Sequence, residues 1–200
     1  MSSDSGRSRA GSGAESGDRI GLRLFSYLLA VTIFFGSFSP SLEAEVLHTQ
    51  AQAIALAFPG ADRVEKKTHV LSDPDAAVIE RRSRSSLGSR LVTLHTAHRG
   101  ETLLGYAVID VHTVRTQSEA LMIALDARGR VLDVRVLVFR EPLDYMPAKR
   151  WYALFLGKDA GDALRVGHDI DGVTGATLTT RATADAVRRM LAYYEVLLTE

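Results

Sequence analysis

The spacing of apolar residues divides the chain into three parts. Met1 to Arg19 is rich in Ser, Gly and Arg and nearly free of large apolar side chains, so residues 1–19 read as a disordered basic tail. Residues 20–40 contain the uncharged run Leu24 to Phe38, preceded by Arg7, Arg9, Arg19 and Arg23 and ended by Pro40. Its 15 residues fall between a signal-peptide core and a full spanning helix. Leu42 is a poor partner for small-residue cleavage at Ala44, so a retained signal anchor is favoured over a cleaved signal peptide. With the basic flank held in the cytoplasm, residues 41–200 are expected on the extracytoplasmic side, at the cell membrane or in the periplasm.

Within that exported part, helical spacing of Leu42, Val46, Ala53, Ile54 and Ala57 predicts a helix from Ser41 to Phe58, capped by Ser41 and ended by Pro59-Gly60. A strand follows from Arg63 to Val70, then a short helix from Asp73-Pro74 to about Arg84. Arg81, Arg82 and Arg84 resemble an anion site but are read as a solvated helix end. Alternation then predicts strands at Leu91–Ala97, Thr102–Val111, Ala120–Leu125 and Val131–Arg140, joined as two hairpins through 98–101 and 126–130. In the last strand Leu132, Val134, Val136 and Val138 form the buried face. Pro147 opens a helix with Trp151, Leu154 and Phe155 on one side, ending at Gly157. The final helix begins near Thr179 or Thr180, buries Ala184, Val187, Leu191, Tyr194 and Leu198, and turns Arg181, Asp185, Arg188 and Arg189 to water. The fold class is α+β, a largely antiparallel sheet of about four strands flanked by helices, with an N-terminal membrane or signal helix.

Composition narrows the chemistry. Lys plus Arg and Asp plus Glu are 24 each, so no net positive field collects phosphate backbones and nucleic acid is not expected as a partner. Cysteine is absent, which removes disulfides, iron–sulfur clusters, thiolate zinc and c-type haem. The six histidines, His48, His69, His95, His98, His112 and His168, show no helical ligand pair, although His95 and His98 lie near one another across a turn; no metal site is assigned.

Between the last two helices runs Asp171-Gly172-Val173-Thr174-Gly175-Ala176-Thr177-Leu178-Thr179. Gly172 and Gly175 permit a tight bend and close ligand approach. The unpaired N–H groups and dipole of the following helix favour negative charge at Thr177, so a phosphate is welcome there. A plain capped turn, with Thr179 or Thr180 as N-cap, remains the alternative from the residues alone.

This segment resembles the flavinylation motif of the FMN-binding domain family, whose members include the FMN-carrying subunits of the Rnf and sodium-pumping NADH:quinone oxidoreductase complexes and single-domain, membrane-anchored proteins. Average residue usage would produce its fixed positions on the order of once per million positions. A looser resemblance runs from 104 to 198, through Gly105-Tyr106, Arg140-Glu141-Pro142, Trp151 and Phe155-Leu156-Gly157-Lys158. It implies FMN esterified through its phosphate to Thr177 by a separate flavin transferase, with Asp171 as the acid read by that enzyme. It also implies a phosphate-side pocket built from Gly172, Thr174, Gly175, Ala176, Leu178 and Thr179, and a loop at Glu141 and Pro142 that approaches the flavin. After Pro142 the sequence departs from the family pattern; Tyr145 and Met146 are then candidates to pack on the ring.

The resemblance implies an electron carrier relaying between a membrane donor and an extracytoplasmic acceptor. A flavin-dependent reductase would need acid/base groups at the ring, and His168, His112 and Glu141 look scattered and unpartnered. Redox sensing stays open as a third reading. Threonine-nucleophile hydrolysis at Thr177 lacks an activating base.

Overall fold

The computed structural model describes residues 45–199. The predicted tail and the apolar run 24–38 lie outside them, and among the described residues no helix is long and apolar enough to cross a membrane. The elements are β1 (Glu45–Val46), α1 (Gln50–Ala57), β2 (Arg63–Val70), α2 (Asp73–Ser83), β3 (Leu91–Arg99), β4 (Thr102–Val114), β5 (Gln117–Asp126), β6 (Val131–Phe139), α3 (Lys149–Tyr152) and α4 (Thr177–Leu197). The fold is α+β, as the patterning indicates. Five long antiparallel strands, extended at one edge by β1, form a sheet in the order β1-β6-β5-β4-β3-β2.

The sheet is larger than the four strands anticipated, for two local reasons. Residues 63–70 pair along their whole length with β3 and close one edge. That strand is almost wholly exposed, and Arg63, Glu65, Lys66 and Lys67 along it discourage pairing with another chain. At the other edge Glu45 and Val46 pair with Phe139 and Val138 instead of continuing a helix back to Ser41. Helix α1 starts only at Gln50, because Thr49 and Gln52 form a reciprocal capping box.

A third hairpin joins β4 to β5 through Arg115-Thr116, with Val114 opposite Gln117. Strand β4 therefore runs on to Val114, past the predicted end at Val111, and the turn was not predicted. Arg115 has φ 52°, which a two-residue hairpin turn demands and a non-glycine residue seldom adopts. His95 and His98 sit on one strand, β3, rather than across a turn.

Strand β5 is buried on both faces. Leu121, Ile123 and Leu125 join the core beneath α2 and α4, while Met122 and Ala124 join the smaller core beneath α1. Strand β6 departs from its predicted face at a bulge, since Ala120 pairs with Val138 but Leu121 pairs with Val136. Leu137 thus packs under α1, Val134, Val136 and Phe139 under α4, and Leu132 is exposed.

Helix α3 starts at Lys149 and passes into a 3-10 turn at Ala153–Phe155, which rotates Leu154 outward and places Trp151, Tyr152 and Phe155 in the core. Each large apolar side chain buried this way contributes about 1.5–3 kcal/mol. Helix α4 begins at Thr177, earlier than predicted, and buries Ala184, Val187, Met190 and Leu191. Arg181 is exposed as expected, but Arg188 and Arg189 are drawn into ion pairs with Asp185 and Asp110 and are largely covered.

Candidate functional site

The N-terminus of α4 is set by the loop before it. The Asp169 carboxylate accepts from the N–H groups of Leu164 at 2.6 Å and Arg165 at 2.5 Å, and Val166 bridges to Ile170. The indole of Trp151 then donates to the Asp171 carbonyl at 2.6 Å, pinning the start of the Asp171–Thr179 segment to the core. Gly175 has φ 86°, and the Ala176 N–H bonds back to Val173 at 3.0 Å, closing the bend. Only Gly175, and not Gly172, needs a left-handed backbone here.

Ala176 is the N-cap residue, and no side chain caps α4. This removes the capped-turn alternative, because Thr179 and Thr180 are buried inside the helix and the Thr180 hydroxyl bonds to the Thr177 carbonyl at 3.0 Å. The open N–H groups face a cavity of about 140 Å3 lined by Val114, Arg115, Glu141, Tyr145, Gly175, Ala176, Thr177, Leu178 and Thr179. Thr177 is exposed at its rim.

The opposite wall comes from the β4–β5 turn. Glu141 Oε1 accepts from the Thr116 N–H at 2.9 Å, the Gln117 N–H at 3.0 Å and the Thr116 hydroxyl at 3.3 Å. The Thr116 N–H above all, with that of Gln117, holds the Glu141 carboxyl below the usual range. So anchored, the turn presents the Arg115 guanidinium 4.8 Å from the Tyr145 ring centre.

Six of the sequence-derived positions therefore converge: Glu141, Gly175, Ala176, Thr177, Leu178 and Thr179. Asp171, Gly172 and Thr174 are exposed and do not line the cavity. Tyr145 lies in its wall, whereas Met146 lines a different cavity with Leu47 and Tyr152. Arg115 was not foreseen; the alternation continuing through Val111, Thr113 and then Gln117 was the signal for it.

Farther along β4 lies a buried charge network. The His112 ring donates to Asp110 at 2.8 Å and to Glu119 at 3.2 Å, and Arg189 donates twice to Asp110, at 2.9 and 2.8 Å. Burial works against the imidazolium, but its bonds to Asp110 and Glu119 outweigh it and raise the His112 pKa to about 9. Burial raises the Glu119 carboxyl, while His112 and Arg189 overcome burial to lower that of Asp110. His112 and Glu141 thus have partners that the sequence did not reveal. His168 is exposed, 3.9 Å from Asp169.

Comparison with curated proteins brings no match to the chain. The family model for the FMN-binding domain matches residues 119–192, from β5 through Glu141, Trp151 and the Asp171–Thr179 segment into α4. Residues 119–192 thus match the FMN-binding domain family, which points to a flavin-binding protein and supports FMN as the cofactor.

Proposed function

We propose that the protein carries FMN covalently, by a phosphoester bond to Thr177, and relays electrons on the extracytoplasmic side of a membrane to which residues 20–40 attach it. The observation that carries this reading is the uncapped mouth of α4, open on a cavity with an exposed Thr177 hydroxyl at its rim. The groups present suit a phosphate ester. Helix N–H groups and the positive end of the dipole favour its charge, and Arg115 brings a cation to the same cavity. A cavity of about 140 Å3 takes the phosphate end of FMN and not its tricyclic ring.

Attachment forms a bond from Thr177 Oγ to phosphorus as the hydroxyl loses its proton and the leaving group of the flavin donor departs; a flavin transferase catalyses it. FMN, when bound, supplies reversible uptake of one or two electrons. The chain's own residues hold and orient it. Glu141 keeps the β4–β5 turn in place, Trp151 keeps the motif loop on the core, and Gly175 bends the chain into the helix. A carrier suits this arrangement better than a reductase, since both His112 ring nitrogens are engaged by carboxylates and Glu141 by backbone.

Co-expression with a flavin transferase tests the proposal. Denatured wild-type protein is expected to fluoresce in an illuminated gel and to gain the mass of an FMN ester, and Thr177→Ala to do neither; a dark wild-type band would overturn covalent attachment. Reduction by membrane donors, without turnover of small molecules by the isolated protein, separates carrier from reductase.

A further inference from the structure

Behind the motif loop, on the outward side of α4, lies a second cavity of about 210 Å3, lined by Arg84, Arg165, Val166, Arg181, Ala184, Asp185 and Arg188. Four arginines and a single carboxylate give its wall a formal charge of +3, taking four positive charges less one negative.

Two of the arginines are fixed by the fold. Arg188 donates to the Ser83 carbonyl at 2.7 Å, to the Leu164 carbonyl at 2.6 Å and to Asp185. Arg84 donates to the Ala163 carbonyl at 2.5 Å. The other two, Arg165 and Arg181, are exposed, and neither guanidinium has a hydrogen-bond or ion-pair partner among the described residues. Burial lowers the pKa of Arg188; Asp185 opposes that shift, and the charges of Arg84 and Arg189 add to it.

The backbone is strained around this cavity. Arg84 and Leu164 adopt φ 54° and 47°, two of the three positive values at non-glycine residues among the described ones; the third is Arg115 in the attachment cavity. Left-handed backbone at a residue with a Cβ costs on the order of 1–3 kcal/mol and persists where surrounding contacts over-determine it. Here it turns Arg84 toward the cavity and holds the Leu164 carbonyl on Arg188.

From this geometry we infer that the cavity framed by Arg84, Arg165, Arg181 and Arg188 binds a phosphate-class dianion, a phosphate or diphosphate group. Guanidinium forks match such oxygens in pairs, and a wall of net charge +3 favours a dianion over a single carboxylate. Bound there, the anion would tie the end of α2, the 163–166 segment and the Arg181–Arg188 stretch of α4 together. Val166 belongs both to this wall and to the bridge that precedes Asp171, so occupancy would stiffen the approach to the motif. The inference does not depend on flavin attachment.

Calorimetric titration of the full chain with inorganic phosphate and with pyrophosphate tests it, beside cosedimentation with vesicles containing phosphatidic acid, a phosphomonoester, and with phosphatidylcholine vesicles. Wild type is expected to bind pyrophosphate saturably, and Arg165→Gln/Arg181→Gln, with an unchanged unfolding midpoint, at least tenfold more weakly. Arg115→Gln, which alters only the attachment cavity, is expected to retain this binding. Loss on the double substitution in the two soluble-anion arms assigns the site to free phosphates. The same loss seen only with phosphatidic acid, above the phosphatidylcholine background, assigns it to a lipid phosphate. No saturable binding in any arm, or equal binding by the double variant, would overturn the proposal.

Discussion

The charge network on β4 makes a quantitative prediction about pH. His112 lies with its ring nitrogens on Asp110 and Glu119, and its pKa is raised from 6.5 to about 9. Below pH 6.5 the imidazole is protonated whether the chain is folded or not, and its contribution to stability is whole. Between 6.5 and about 9 the folded protein keeps a proton that the unfolded chain has lost. Stability from this group therefore declines by about 1.4 kcal/mol per pH unit over that interval, about 3 kcal/mol in all, and is gone above it. Trp151 is the single tryptophan and is buried, so its fluorescence reports unfolding in urea without a label. Wild type and His112→Gln, compared at pH 6, 7.5 and 9.5, isolate the effect from the other histidines. The stability difference between them is expected to shrink by about 3 kcal/mol across the series. In Glu119→Gln, which keeps the Asp110 bond and loses one partner, the decline should still begin near 6.5 but end at lower pH and be smaller. A difference constant to within about 0.5 kcal/mol, or a His112 titration midpoint at or below its ordinary value, would refute the reasoning.

Two further outcomes follow from single contacts. Glu141→Gln replaces the acceptor of two backbone N–H groups and a hydroxyl with a neutral amide; a loss of about 1–3 kcal/mol is expected by urea unfolding, together with faster amide exchange at Thr116 and Gln117. The loss should diminish in acid, since the carboxylate's contribution is present above its unfolded pKa and disappears as pH falls through the lowered folded value. Gly105→Ala would place a Cβ 2.0 Å from the Leu125 carbonyl at a φ of 154°, forcing β4 away from β5; about 3 kcal/mol or more should be lost, and an unchanged melting temperature would show that the strand pair yields freely.

Much of this arrangement was legible in the residues. Strict alternation located the four central strands, and the Asp171–Thr179 segment announced a bend before a helix. Helix boundaries were less readable because they depended on caps. Thr49 with Gln52 starts α1, and at α4 the hydroxyls that resemble caps are buried while Ala176 takes the cap position. The cavity at Thr177 was only half visible. Its motif side is local in sequence, whereas Arg115 arrives through a two-residue hairpin whose strained residue is not a glycine, against the usual turn signal. The partners of His112 were hidden for a related reason. Asp110 alternates with it along one strand, but Glu119 faces it only once the register of β4 on β5 is set, and Arg189 arrives from a helix elsewhere in the chain.

The threonines around the helix mouth differ sharply in accessibility. Thr174 and Thr177 are exposed, while Thr179, Thr180 and Thr183 are sealed within the domain. An unfolded chain would offer a modifying enzyme five neighbouring hydroxyls of nearly equal reactivity; the folded domain withdraws three and sets one of the remaining two at the rim of a cavity. For the attachment proposed at Thr177, selectivity among these hydroxyls would then be a property of tertiary structure as well as of the linear motif.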